Sequence, residues 1–386
     1  MIFSLEALQA DHGDCLLLHA GTAEEPLLVL VDGGPSGIYE RSLRPRLEEL
    51  RAQRAPDGRL RIDLAMVSHI DDDHVHGMVD LAAALVELQD DKRPLPYDVR
   101  TLWHNAFDDV VDDDDDELRT AALEILSEPV ADARADELRR AGLAIVASVG
   151  QGRRLRDDAG KLGWRLNAPF QGPVQLPATG VRRISLDDTT LTVICPHAEQ
   201  LERLREAWDD WLKEHPKAVA RDAAATAAFV DNSPYNLSSI VVLAEAGGKS
   251  MLLTGDARGD HVLAGLDEAG VAKGGETEVD ILKLPHHGSI RNLAPEFFAR
   301  VKARHYVISA NGRDGNPETE TLETIVAARE GDTDYEIHLT NRGPKGDLEQ
   351  RLEEFLAAKE QSGAGYTMSF RDPHALSLRI DLLEEP

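Results

Sequence analysis

Four short apolar runs in this chain each end on residues that can bind a proton or a metal ion. "PLLVLV" (26–31) stops at Asp32, and "IDLAMVS" (62–68) runs into "HIDDDHVHG". "SMLLTG" (250–255) stops at Asp256, and "DILKLP" (280–285) meets "HHGS". Apolar runs of this length, bounded by turn residues, read as buried strands. Loops at strand ends gather along one edge of a sheet, where a rigid scaffold holds their side chains. Taken singly, a His-His pair, a TGD turn or a VDGG turn is an ordinary surface feature. Four such endings in one chain predict strand-end loops that converge on one polar site.

The surrounding pattern fits a layered α/β protein. "IFSLEALQA", "CLLLHAG" and "PLLVLVDGG" open the chain as strands, and leucines at helical spacing follow from about Tyr39 to Arg54. "RIDLAMVSH" reads as one buried strand, "GMVDLAAALVELQ" as an amphipathic helix and "YDVRTLWHN" as another strand. Residues 105–172 change character: the acidic run "DDVVDDDDDE" (108–117) leads into Ala/Leu/Glu/Arg-rich helical sequence (117–143), which suggests an insertion. Strands resume with "ISLDDTTLTVICP", helices cover roughly 198–228, and two apolar runs around Gly247-Gly248 form a hairpin. Strand and helix then alternate to the end, through a helix at 348–360 to "GYTMSF" and "ALSLRIDLL". Hairpins followed by interleaved helices predict two mixed sheets covered by helices in a single domain, 1–386, with 346–386 as a C-terminal extension.

Composition narrows the function. A chain of 386 residues with 42% hydrophobic and 29% charged residues is globular. No apolar run approaches the roughly 20 residues of a membrane span, and the start lacks a basic region followed by an apolar one, so no signal peptide is expected. Two cysteines, Cys15 and Cys195, make neither a disulfide framework nor a CxxC metal clamp. A reduced, cytoplasmic protein is the expectation. The formal net charge of -28 opposes polyanions, because extended nucleic-acid binding rests on lysines and arginines that displace counterions. A small or short anionic substrate fits better, with extended nucleic acid needing a partner protein. The acidic run could recruit a basic protein partner.

"SHIDDDHVHG" resembles the HxHxDH signature of the metallo-β-lactamase superfamily, in an HxDxDH form. "MLLTGDA" and "DILKLPHHGS" resemble the matching segments of the soluble domain of ComEC-type DNA-uptake channel proteins, and "DHGDCLLLHAG" with "VDGG" fits the opening strands. The resemblance covers about 1–104 and 184–340 and implies a metallo-β-lactamase-like αββα sandwich, with two mixed sheets flanked by helices. It also implies two divalent metal ions side by side. One site would use Asp73, His74 and a histidine of the "PHHG" turn, with His286 favoured and His287 the alternative. The other would use His69, Asp71 and a residue from the loop before the hairpin, where Asn236 takes the place of the family's third-motif histidine; Asp256 would bridge the two. Aspartate at 71 and asparagine at 236 make that site oxygen-rich. Zinc prefers nitrogen and sulfur ligands and manganese oxygen, so manganese or partial occupancy is expected there.

The chemistry follows from such a centre. A bound cation pair acidifies water and polarises the bond under attack, and two ions suit phosphodiester displacement. Asp73 would orient the water or take its proton, and Asp256 and His286 complete the catalytic set. Asp32 would hold ligand-bearing loops from behind, with His76 and His104 as further supporting groups. His12, Asp14, His197 and Asn316 are weaker candidates, and Cys195 has no histidine partner. The favoured function is a metal-dependent hydrolase of phosphodiesters, nuclease-like or acting on small diesters. Hydrolysis of a carboxyl ester, lactone, thioester or amide is the alternative, and a non-catalytic binding or regulatory module the third reading.

Overall fold

The computed structural model describes residues 1–105, 150–202, 238–343, 346–362 and 365–384. The acidic run 108–117, the helical sequence 117–143, most of the stretch 198–228 and Asn236 lie outside these residues. In chain order the strands begin with β1 (Ile2–Leu8), β2 (Leu16–Gly21), β3 (Pro26–Val31), β4 (Leu60–Ile62), β5 (Leu64–Val67), β6 (Tyr97–Val99), β7 (Thr101–His104) and β8 (Arg165–Leu166). They continue with β9 (Arg183–Leu186), β10 (Thr189–Cys195), β11 (Val241–Ala246), β12 (Lys249–Leu253), β13 (Thr277–Lys283) and β14 (Val301–Ile308). The last are β15 (Glu336–Leu339), β16 (Thr367–Phe370) and β17 (Ser377–Leu383). A seven-stranded sheet has the order β17-β1-β2-β3-β5-β7-β8, and an eight-stranded sheet the order β16-β15-β14-β13-β12-β11-β10-β9. Both are mixed: antiparallel hairpins lead into parallel strands.

Three apolar clusters give the layering. Between the sheets lie Phe3, Leu5, Leu18, Val29 and Met66 from one side and Val193, Val242, Leu253, Ile281 and Val307 from the other. Helices cover the outer faces. Helix α1 (Arg44–Arg54) and helix α2 (Asp72–Asp90) pack on the first sheet, and the helices Gly259–Glu268, Pro295–Arg300, Thr319–Ala328 and Leu348–Ser362 on the second. Strands covered on both faces lose the polar alternation of a half-exposed sheet, which is why β2 and β3 read as continuous apolar runs. In α2, Val75, Met78, Val79, Ala82 and Leu85 recur at helical spacing on the buried side.

Two strands expected as single runs are each split. "RIDLAMVSH" divides into β4 and β5 at Asp63, and "YDVRTLWHN" into β6 and β7 at Arg100; β4 and β6 pair apart from the large sheets. Asp63 accounts for the break: its amide donates to the Leu28 carbonyl at 2.9 Å, and its carboxylate accepts the Leu28 amide at 3.1 Å. The chain ends are also part of the fold. β17 pairs antiparallel with β1, and β16 pairs parallel with β15, so the segment beyond 346 completes an edge of each sheet. Within 150–172, Leu155, Ala159 and Trp164 pack on the first sheet and β8 extends it.

Candidate metal centre

The C-terminal ends of β3, β5, β12, β13 and β14 and the turn before β2 meet at one edge of the sandwich. Backbone bonds stitch these loops together: the Gly33 amide donates to the His74 carbonyl at 2.7 Å, the Asp14 amide to the Asp73 carbonyl at 3.2 Å, and the His286 amide to the Gly255 carbonyl at 3.1 Å. The start of α2 lies so close to the β3 loop that a Cβ on Gly77 would sit 2.0 Å from the Gly33 carbonyl oxygen. Three site residues occupy left-handed backbone conformations, Asp32 at φ 58°, His286 at φ 48° and His287 at φ 54°. Side chains rarely adopt this region, and such strain persists where the surroundings dictate it.

His74 and His287 form the centre of the group. Their Nε2 atoms are 3.2 Å apart. His74 Nε2 lies 3.3 Å from Asp256 Oδ1 and 3.9 Å from Asp73 Oδ1, while His287 Nε2 lies 3.2 Å from Asp73 Oδ2 and 3.7 Å from Asp256 Oδ2. Each ring is held from behind. His74 Nδ1 donates to Asp32 Oδ2 at 2.9 Å, and Asp32 is itself fixed by the Ser68 amide at 2.7 Å and the Ser68 hydroxyl at 2.8 Å. His287 Nδ1 donates to the Ser309 carbonyl at 3.0 Å, with Asp14 Oδ1 at 3.4 Å. Donation through Nδ1 turns both Nε2 atoms toward the carboxylates, the orientation in which each can trade its proton for a metal ion.

A second pair lies alongside. His69 Nε2 is 3.4 Å from Asp71 Oδ2 and 3.7 Å from Asp256 Oδ2, and His286 Nε2 is 3.8 Å from the same Asp256 oxygen. Asp256 thus faces four imidazoles. The "PHHG" turn directs His287, not His286, toward His74 and Asp73; His286 remains 32% exposed, whereas His287 is buried.

Electrostatics tie the group together. Burial opposes charge on His74 and His287, yet Asp256, Asp32 and Asp73 push His74 well up, and Asp256 and Asp14 raise His287 to about 10. Burial would raise the Asp73 and Asp256 carboxyls, but the neighbouring imidazoles, His74 foremost, pull both far below the usual carboxylate range. Buried carboxylates at this density require compensating positive charge. Protons on the imidazoles supply it here, and a divalent cation can replace them. Asp14, His74, Asp256 and His287 present ligand atoms within 4.8 Å of one another, and buried His69 Nε2 has no hydrogen-bond partner among the described residues. The donor set of imidazole nitrogens and carboxylate oxygens fits a transition-metal ion.

The remaining candidates flank this group or lie outside it. His76 bonds Asp72 at 2.8 Å on the outer side of α2, with Asp80 at 3.8 Å. His104 is buried with Nε2 3.3 Å from the Gly152 carbonyl, and His197 bonds Glu268 and the His261 carbonyl, each at 3.2 Å. His12 meets Arg313 at 2.8 Å, and the Asn316 amide reaches the His286 carbonyl at 3.5 Å. Cys195 is buried, which pushes its thiol far up and removes it as a nucleophile.

Sequence reasoning missed Lys283. It is fully buried, with Nζ 2.5 Å from Asp14 Oδ2, so a Lys283–Asp14 pair stands directly behind His287. The signal was a single lysine inside the apolar run "DILKLP", since a charge in a buried strand needs a buried counter-charge. No protein-family model matches this chain, and no curated protein matches it.

Proposed function

We propose that this protein is a metal-dependent hydrolase of metallo-β-lactamase type that acts on small or short phosphodiesters. The observation that carries the reading is the placement of His74, His287, Asp73 and Asp256 around one point, with His69 and Asp71 around a neighbouring one. The site residues fit two cations: His74, His287 and Asp73 would hold one, His69 and Asp71 the other, and Asp256 faces both. Bound divalent ions supply Lewis acidity and lower the pKa of water toward neutrality. The half-buried Asp73 is the carboxylate best placed to orient the attacking water and accept its proton. Asp32 and the Ser309 carbonyl hold the two central rings with Nε2 toward the cations, and Asp14 stands beside the His287 ring. The net charge of -28 favours a compact substrate over a long duplex.

Purified protein supplied with manganese or zinc, offered bis-p-nitrophenyl phosphate and a chromogenic carboxyl ester, tests the reading. Turnover of the diester that is lost in Asp73→Ala supports it. Turnover of the ester alone would replace the substrate class, and no turnover with no bound metal would remove the enzyme.

A further inference from the structure

Along β14 and β15, the face of the second sheet that looks toward the first changes character. The cluster between the sheets takes Ile281 from β13 and Val307 from β14, but among the described residues nothing from β15 or β16. In β15, Ile337 and Leu339 face the helical layer, which leaves Glu336 and His338 on the opposite face. Parallel pairing sets Glu336 directly opposite His305 and His338 opposite Val307, so His305, Glu336 and His338 share one face. Ser369 of β16 lies beside His338 on that face.

The side chains meet there. His305 Nδ1 is 3.0 Å from His338 Nε2, and Glu336 Oε2 is 3.7 Å from the same nitrogen. All three ligand atoms fall within 4.8 Å of one another. Ligands held at roughly 2.0–2.2 Å around a tetrahedral zinc ion lie about 3.3–3.5 Å apart, so little movement is needed to admit one. Ser369 Oγ, 2.7 Å from His338 Nδ1, occupies the position from which outer partners fix a ligand imidazole. Glu336 is 42% exposed, which leaves a path from solvent.

We propose that His305, Glu336 and His338 form a second, separate site for a zinc-class cation, with three protein ligands and one position open to solvent. Burial favours the neutral form of both imidazoles, with His305 adding to the effect at His338. The single proton now shared between the two nitrogens moves to the other nitrogen of His305 when the ion enters, and each ring stays neutral. The ion would clamp β14 to β15. β14 is also the strand that leads to Ser309, whose carbonyl holds His287.

The test is a zinc count. Chelator-stripped full-length protein is equilibrated by dialysis with micromolar free zinc and analysed for metal, alongside His305→Ala and Glu336→Gln, each checked for native circular dichroism. Each variant is expected to hold one equivalent fewer than the parent, or to bind that equivalent more weakly by over about tenfold, the least that losing even an outer partner costs. Glu336→Gln keeps shape at a partly exposed position, so it remains informative if His305→Ala fails to fold. Equal zinc content and affinity in the parent and Glu336→Gln would overturn the site.

Discussion

Lys283→Met isolates the support behind His287. Lys283 and Asp14 are both buried, their charged atoms 2.5 Å apart, and Asp14 Oδ1 lies 3.4 Å from His287 Nδ1. Burial alone would raise the Asp14 carboxyl; Lys283 and then His287 instead hold it at about 2, against an ordinary 3.8. That difference corresponds to roughly 2 kcal/mol favouring the charged form. Removing the lysine strands a buried carboxylate, which costs about 3–5 kcal/mol. Spread over 386 residues unfolding together, this lowers Tm by about 4–6 °C. The double variant Asp14→Leu/Lys283→Met removes both charges and should recover most of that stability, since apolar replacement of a buried pair is often neutral. It should still bind zinc about 10–100-fold more weakly, because His287 loses a partner. Differential scanning calorimetry and chelator competition read the two effects separately. A double variant as unstable as Lys283→Met, or one with unaltered zinc affinity, would refute the reasoning.

Three further outcomes follow from the same structure. Asp32→Asn no longer presents a carboxylate to His74 Nδ1, and chelator competition should show metal affinity reduced about 10–100-fold with little change in circular dichroism. Gly77→Ala drives a Cβ against the Gly33 carbonyl and should cost about 1–3 kcal/mol or more in urea unfolding, with loss of metal binding as the start of α2 shifts. Glu6 is buried, which would raise its carboxyl, but His19, Ser377 and Arg46 lower it from 4.5 to about 2. Its folded pKa is depressed, so about 3 kcal/mol of stability is present above pH 4.5 and disappears as pH falls toward 2. Glu6→Gln should flatten that part of the urea-stability profile against pH, and an unchanged acid slope would contradict it.

Much of the site was legible because apolar strands end abruptly at Asp32, His69, Asp256 and the His286-His287 pair. Strand-end placement needs only local pattern and the tendency of such loops to share an edge. The choice between the two histidines was not legible, because it depends on a turn in which both adopt left-handed φ under tertiary constraint. The breaks at Asp63 and Arg100 were equally hidden: one polar residue inside a strand-like run looks like a continuing strand until the Leu28 backbone captures Asp63 and the Ile62 carbonyl the Arg100 amide. Lys283–Asp14 and His305–His338 join residues far apart in the chain, and no periodicity encodes such pairings. The places of β16 and β17 in separate sheets depend on long-range pairing in the same way.

Anomalous diffraction from crystals grown with manganese or zinc would test the central claim most directly. One ion is expected against His74 Nε2, His287 Nε2 and Asp73, and a second against His69 and Asp71, with Asp256 reaching both. Crystals saturated with metal that show no ion between His74 and His287 would contradict the account.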